Sequence, residues 1–188
     1  MDYEDQTKGQ LINELKELRE RLSGLDKTSD ELTGLHNREY FLDLAECEFI
    51  RSQRFQRPLS VILIAVKDFD VIKSDFNKEV SNQVLLEVVN RCKSRVRDLD
   101  YFGRYDEGEL ILLLPEADKS AIQKIAERLQ ETVAKSKIST DAGDMEVNLC
   151  QGGVEISEGF SNLEEFLAKA EEFLLSAKKG DNGNIVVR

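Results

Sequence analysis

Carboxylates dominate the residues of this chain that could do chemistry. Asp106, Glu107 and Glu109 crowd around Gly108, and Asp68, Asp70 and Asp75 follow one another in a short stretch. Grouped carboxylates can ligate divalent cations and hold them against phosphate oxygens. Without a metal, the first group reads as a solvated acidic turn or as a surface that docks a basic partner. Arg97 and Asp100 lie three residues apart, a donor fork and an acceptor that at the simplest form a surface ion pair or cap a helix–strand junction. His36, the only histidine, stands just before a helix start and reads as an exposed loop residue. Cys47, Cys92 and Cys150 are odd in number and widely spaced. They read as reduced core thiols rather than a disulfide frame or zinc site, and no metal site is expected.

The elements that must position these residues follow from apolar spacing. Phe41, Leu42, Ala45, Phe49 and Ile50 predict a helix from Asn37, its cap, to about Gln56. Pro58 ends it, and Leu59 to Val66 (LSVILIAV) is the nearly continuous apolar run of a central strand covered on both faces. Val80, Val84, Val88 and Cys92 mark a second helix from about Asn77 to Arg97. Two strands, Asp100 to Arg104 and Glu109 to Leu114, flank a turn in which Gly108 is expected to have positive φ. A third helix (Ala121 to Val133), an extended segment (Glu146 to Ile156), a fourth helix (Leu163 to Ala177) and an edge strand (Ile185 to Val187) complete the chain. Gly152 and Gly153 predict a bulge or a close backbone approach. The expected class is α+β, a mainly antiparallel central sheet flanked by helices, with an additional N-terminal helix. That helix carries Leu11, Leu15, Leu18, Leu22 and Leu25 at alternating spacings of four and three, a stripe that favours a coiled-coil homodimer or, failing that, docking on the domain. The division is therefore 1–29, amphipathic helix and linker, and 30–188, the domain.

Composition excludes several functions. Lys and Arg number 26 against 37 Asp and Glu, a net charge of −11 over 188 residues, which disfavours nucleic acid and anionic membranes. No apolar run is long enough to span a membrane and the N-terminus has no export pattern, so the expected location is the cytoplasm. Because Met1 directly precedes the Leu-stripe helix, no input domain is expected in this chain, which favours a recruited adaptor.

The stretch Asp30-Glu31-Leu32-Thr33-Gly34-Leu35-His36-Asn37-Arg38, after a Leu-stripe helix, resembles the DxLTGLxNR signature that opens the GGDEF domains of bacterial diguanylate cyclases. Pro58-Leu59-Ser60, Phe69, Arg97-x-x-Asp100, Arg104 and Ala177-Lys178 follow in the same family order. The resemblance covers residues 30–188 and implies a palm-like, nucleotidyl-cyclase-like fold. It also implies condensation of two GTP into cyclic di-GMP, with Mg²⁺ held by carboxylates. Laid on this sequence, the metal-binding acid at the end of the central strand falls on Ala65 and the acid after it on Lys67. Asp68, Asp70 and Asp75 are offset from those positions and read as a solvated loop. The two residues that read guanine fall on Lys73 and Asn82, and the hairpin signature reads Asp106-Glu107-Gly108-Glu109-Leu110, with acids for both leading glycines and Gly108 at the second metal position. Lys178 matches the phosphate-binding lysine, but its partner four residues on is Asn182 rather than Arg. Each new acid near a triphosphate costs on the order of 4 kcal/mol at about 4 Å and an effective dielectric near 20, before screening.

The resemblance thus implies a degenerate, catalytically inactive relative with no cofactor, acting through protein contacts. Its expected surfaces are the Leu stripe for self-association and the acidic hairpin face for a partner. An alternative is a cyclic di-GMP receptor, since Arg97 and Asp100 match the family's RxxD inhibitory site. The second arginine of that site falls on Gln130, with Arg128 two residues away on another face. A third reading is an enzyme of altered nucleotide chemistry using Asp68 or Asp70, Glu109 and Lys178.

Overall fold

The computed structural model describes residues 28–156, 159–180 and 185–187. The N-terminal leucine stripe and Asn182 lie outside them. A helix α1 (Arg38–Phe55), capped by the Asn37 side chain, which accepts from the Tyr40 N–H at 3.0 Å, leads into strand β1 (Leu59–Val66). Two helices, α2 (Phe69–Asp75) and α3 (Lys78–Lys93), precede the hairpin of β2 (Tyr101–Asp106) and β3 (Glu109–Pro115). Then come α4 (Lys119–Ala134), a small hairpin of β4 (Ile138–Thr140) and β5 (Gly143–Met145), β6 (Leu149–Glu155), α5 (Leu163–Lys178) and β7 (Ile185–Val187).

The main sheet has the order β2-β3-β1-β6-β7. β1 sits at its centre, antiparallel to β3 and β6, and β7 adds in parallel at one edge. All eight residues of β1 are buried. Their alternation explains why: Ile62, Ile64 and Val66 face a core with Val84, Leu85 and Val88 of α3 and Ile122 and Ala126 of α4. Val61, Leu63 and Ala65 face a second core with Phe41 and Phe49 of α1 and Phe166 and Phe173 of α5. Helices on both faces leave the strand no polar side, hence its unbroken apolar run.

The sheet pairs β1 and β6 without a register shift, so the glycines of β6 mark close approach rather than a bulge. A Cβ at Gly152 would lie 2.2 Å from the backbone nitrogen of Leu174. The bulge sits instead in β2, where the register shifts between Arg104 and Asp106.

Several sequence expectations are corrected. Asp68, Asp70 and Asp75 do not form a loop but border or build α2. The helix expected to reach Arg97 stops at Lys93, and the β4–β5 hairpin was not anticipated. Gly108 lacks positive φ; its missing side chain leaves room for the Phe69 ring. Cys92 and Cys150 are buried, but Cys47 is exposed. His36 is half-buried and extends the sheet: its N–H donates to the Phe102 carbonyl at 3.2 Å, and its carbonyl accepts from the Arg104 N–H at 2.8 Å. None of the described helices is long and apolar enough to cross a membrane.

Candidate functional site

The end of β1, the β2–β3 turn, the start of α2 and the end of α5 enclose a cleft of about 420 Å³. Register places Ala65 opposite Glu109 on one side and Cys150 on the other, so the methyl of Ala65 stands where β1 meets the turn. Asp106, Glu107, Gly108, Glu109 and Lys178 line the same cleft, as do Asp68 and Asp70. Lys73 reaches its rim through Glu107, whereas Asn82, on α3, is not among the described lining residues.

Gly108 is where the turn meets α2. A Cβ there would lie 2.4 Å from Cδ1 of Phe69, well inside van der Waals contact. The carboxylates on either side of it are both engaged by lysines. Glu107 pairs with Lys73, whose hydrogen bond and charge lower the Glu107 pKa. Glu109 pairs with Lys178 at 2.6 Å. Lys67 turns its ammonium to the Gly180 carbonyl at 3.1 Å, beyond the end of α5. Among the described residues, no three His, Cys, Asp or Glu side chains converge to hold a metal ion.

Arg104 ties the turn to the start of the domain. Its guanidinium donates to both oxygens of Asp30, at 3.1 and 3.0 Å, and to the carbonyls of Asp106 at 3.3 Å and Glu107 at 3.1 Å. Asp30 also accepts from the Thr33 N–H at 2.8 Å and its hydroxyl at 2.7 Å. Burial pushes the Asp30 carboxyl up, but the Thr33 bonds and the Arg104 charge together hold it below its ordinary value.

A second cleft, about 240 Å³, opens between the end of α1 and the turn preceding β2. Arg97 and Asp100 line it with Tyr101 and with two ion pairs, Arg51 with Glu48 at 3.3 Å and Arg57 with Glu116 at 2.6 Å. The Asp100 carboxylate accepts from the Arg97 N–H at 3.0 Å, and the Asp100 N–H donates to the Arg97 carbonyl at 3.0 Å. Burial raises the Asp100 pKa, against the Arg97 N–H bond and the charges of Arg97 and Arg128. Gln130 is committed elsewhere, donating to Asn148 at 3.1 Å and accepting from the Leu149 N–H at 3.0 Å. Arg128 is thus the α4 residue whose charge reaches Asp100. Arg51 and Arg57 were missed from sequence, although Arg51, Arg54 and Arg57 at three-residue intervals in so acidic a chain were a readable signal.

The family profile described as diguanylate cyclase, GGDEF domain, matches residues 27–184. Diguanylate cyclase DosC of Escherichia coli K12 is 30% identical over 173 residues, which are 92% of this chain but 38% of that protein. The chain therefore spans less than two fifths of that relative's length. Among solved structures, the GGDEF domain of DgcB from Caulobacter crescentus, in complex with c-di-GMP, superposes with a TM-score of 0.81 at 18% identity, covering 86% of this chain and 96% of that one. Diguanylate cyclase SiaD of Pseudomonas aeruginosa, in complex with its activator SiaC, gives a TM-score of 0.80 at 24% identity over 94% of this chain and 68% of that one.

Proposed function

Because the chain belongs to the diguanylate cyclase GGDEF family, we propose that it is a member which no longer condenses GTP and instead works in the cytoplasm through protein contacts. The observation that carries this reading is the contact between Gly108 and Phe69. The resemblance puts a metal-binding carboxylate at Gly108, yet a side chain at that position would overlap the Phe69 ring. Ala65, at the other metal position, has no oxygen to offer. The neighbouring acids add negative charge where a triphosphate would approach, while Lys73 and Lys178 are held by Glu107 and Glu109. Mg²⁺ does not fit this donor set, in which no three carboxylate, histidine or cysteine side chains converge among the described residues.

The acidic hairpin face then serves a basic partner, and the leucine stripe pairs two copies. The solved complex of SiaD with SiaC supports protein partners as a mode open to this fold. The decisive assay incubates the full chain with GTP and Mg²⁺ or Mn²⁺ and follows cyclic di-GMP. No product is expected; turnover abolished by Glu109→Ala would overturn this reading in favour of altered nucleotide chemistry.

A second reading, a cyclic di-GMP receptor, is favoured by the convergence of Arg97, Asp100 and Tyr101 on one cleft, where Arg51 and Arg57 would have to exchange their partners Glu48 and Glu116 for the ligand. Guanidinium forks suit phosphates and a carboxylate suits a guanine edge, and the DgcB domain was solved with c-di-GMP. Calorimetric titration should give low-micromolar or tighter binding that Arg97→Ala removes, if this reading holds; silence sinks it.

A further inference from the structure

Helices α1 and α5 run antiparallel, tied at one end by Gln53 donating to the Phe160 carbonyl at 3.0 Å and at the other by Tyr105. The Tyr105 hydroxyl donates to Glu171 at 2.6 Å, and its ring lies under the Arg38 guanidinium, 4.8 Å from the centroid. Between the helices lies a groove of about 550 Å³ that shares no lining residue with the two clefts, although Tyr105 directly precedes Asp106, which lines the first of them. Its floor is apolar, built from the buried Leu163 and Leu167 and the half-buried Leu42, with the exposed Ala168 at its edge.

Both rims are acidic. Asp43 and Glu46 stand on the α1 side and Glu164 and Glu171 on the α5 side, all exposed. The lining holds one cation, Arg38, and it is engaged with Tyr105. Helical spacing puts Glu164, Ala168, Glu171 and Leu175 on one stripe, and Leu175 is 58% exposed. On α1, Ile50 follows Glu46 by one turn and is 55% exposed. The rim stripes thus alternate carboxylates with Ala168, Leu175 and Ile50, and on α5 they run for about three turns of helix, roughly 16 Å.

We propose that this groove is a docking site for an amphipathic helix of a partner protein, with an apolar stripe flanked on both sides by Lys or Arg. An apolar face laid between two helices is the helix-in-groove mode, and carboxylates on both rims select cationic flanks. The same rims disfavour a second copy of this chain, because its Asp43, Glu46, Glu164 and Glu171 would meet their own counterparts on a molecule of net charge −11. The proposal rests on a surface distinct from the hairpin face and survives or fails separately from it.

The test is fluorescence anisotropy of a labelled Leu/Lys amphipathic peptide of about four turns with the full chain, alongside a Leu/Glu peptide of the same pattern. The Leu/Lys peptide should bind and the Leu/Glu peptide should not. Ala168→Lys and Glu164→Lys, both at exposed positions, should each weaken binding by roughly tenfold, a free-energy change of about 1.4 kcal/mol. Glu79→Lys, the same charge change as Glu164→Lys but on α3 across the sheet, should leave it within about twofold. Equal loss for Glu164→Lys and Glu79→Lys would mean diffuse attraction and overturn the proposal, as would binding lost only on Glu107→Gln. Tighter peptide binding on Leu18→Asp would show that the chain's own leucine stripe fills the groove. Dissociation of a dimer by Ala168→Lys would show that a second copy does. Either result overturns it too.

Discussion

At the scale of single residues, the site is defined by what small side chains permit and what ion pairs consume. The glycine at 108 follows from the ring of Phe69 rather than from backbone conformation. Sequence reading located Ala65, Gly108, Glu109 and Lys178 through the family pattern, but not their partners. Lys73 with Glu107 and Lys178 with Glu109 are separated by 34 and 69 residues, and no local periodicity encodes such pairs. Asp30 carries a test of its own. Its folded carboxyl lies below the ordinary value of 3.8, so the stability it contributes is full above that pH and is lost as pH falls through the lower folded value. Asp30→Asn should cost about 1 kcal/mol at neutral pH. Denaturation of both proteins across the acid range should show the gap closing below pH 3.8; a gap independent of pH would mean that packing, not charge, sets it.

At the scale of elements, legibility tracked burial. β1 was readable to the residue because it is covered on both faces, and α1, α4 and α5 because each buries a stripe at helical spacing. The helix α2 was not, since its seven residues bury only Phe69 and otherwise look like a polar loop. The β4–β5 hairpin hid for the same reason: only Ile138 among its strand residues is buried. Close contact between β6 and α5 makes the sharpest prediction. Gly152→Ala would press a methyl onto the Leu174 backbone and the Ala170 carbonyl, atoms that cannot rotate away. Urea unfolding should show a loss of about 3 kcal/mol, the upper part of the range for overpacking. A change below about 0.5 kcal/mol, the scale of ordinary surface substitutions, would mean that α5 shifts freely on the sheet.

At the scale of the whole molecule, the net charge of −11 is locally balanced in one cleft, where Arg51, Arg57 and Arg97 face Glu48, Asp100 and Glu116, and unbalanced along the groove, where Asp43, Glu46, Glu164 and Glu171 face Arg38 alone among the lining residues. The excess of like charge should destabilise the compact state at low ionic strength. Raising salt from about 0.02 to about 0.5 M, which shortens screening to a few ångströms, should therefore raise Tm in a thermal melt. A fall would mean that the exposed ion pairs outweigh the self-repulsion.

The guanidinium of Arg104 has a mechanical meaning as well as an electrostatic one. It grips the carboxylate of Asp30 with one nitrogen and the carbonyls of Asp106 and Glu107 with the others, and two residues before Asp30 the Thr28 carbonyl accepts from the N–H of Asn37, the cap of α1, at 2.9 Å. A single side chain thus cross-links Asp30 to the tip of the β2–β3 hairpin, and it does so through residues that belong to neither hydrophobic core.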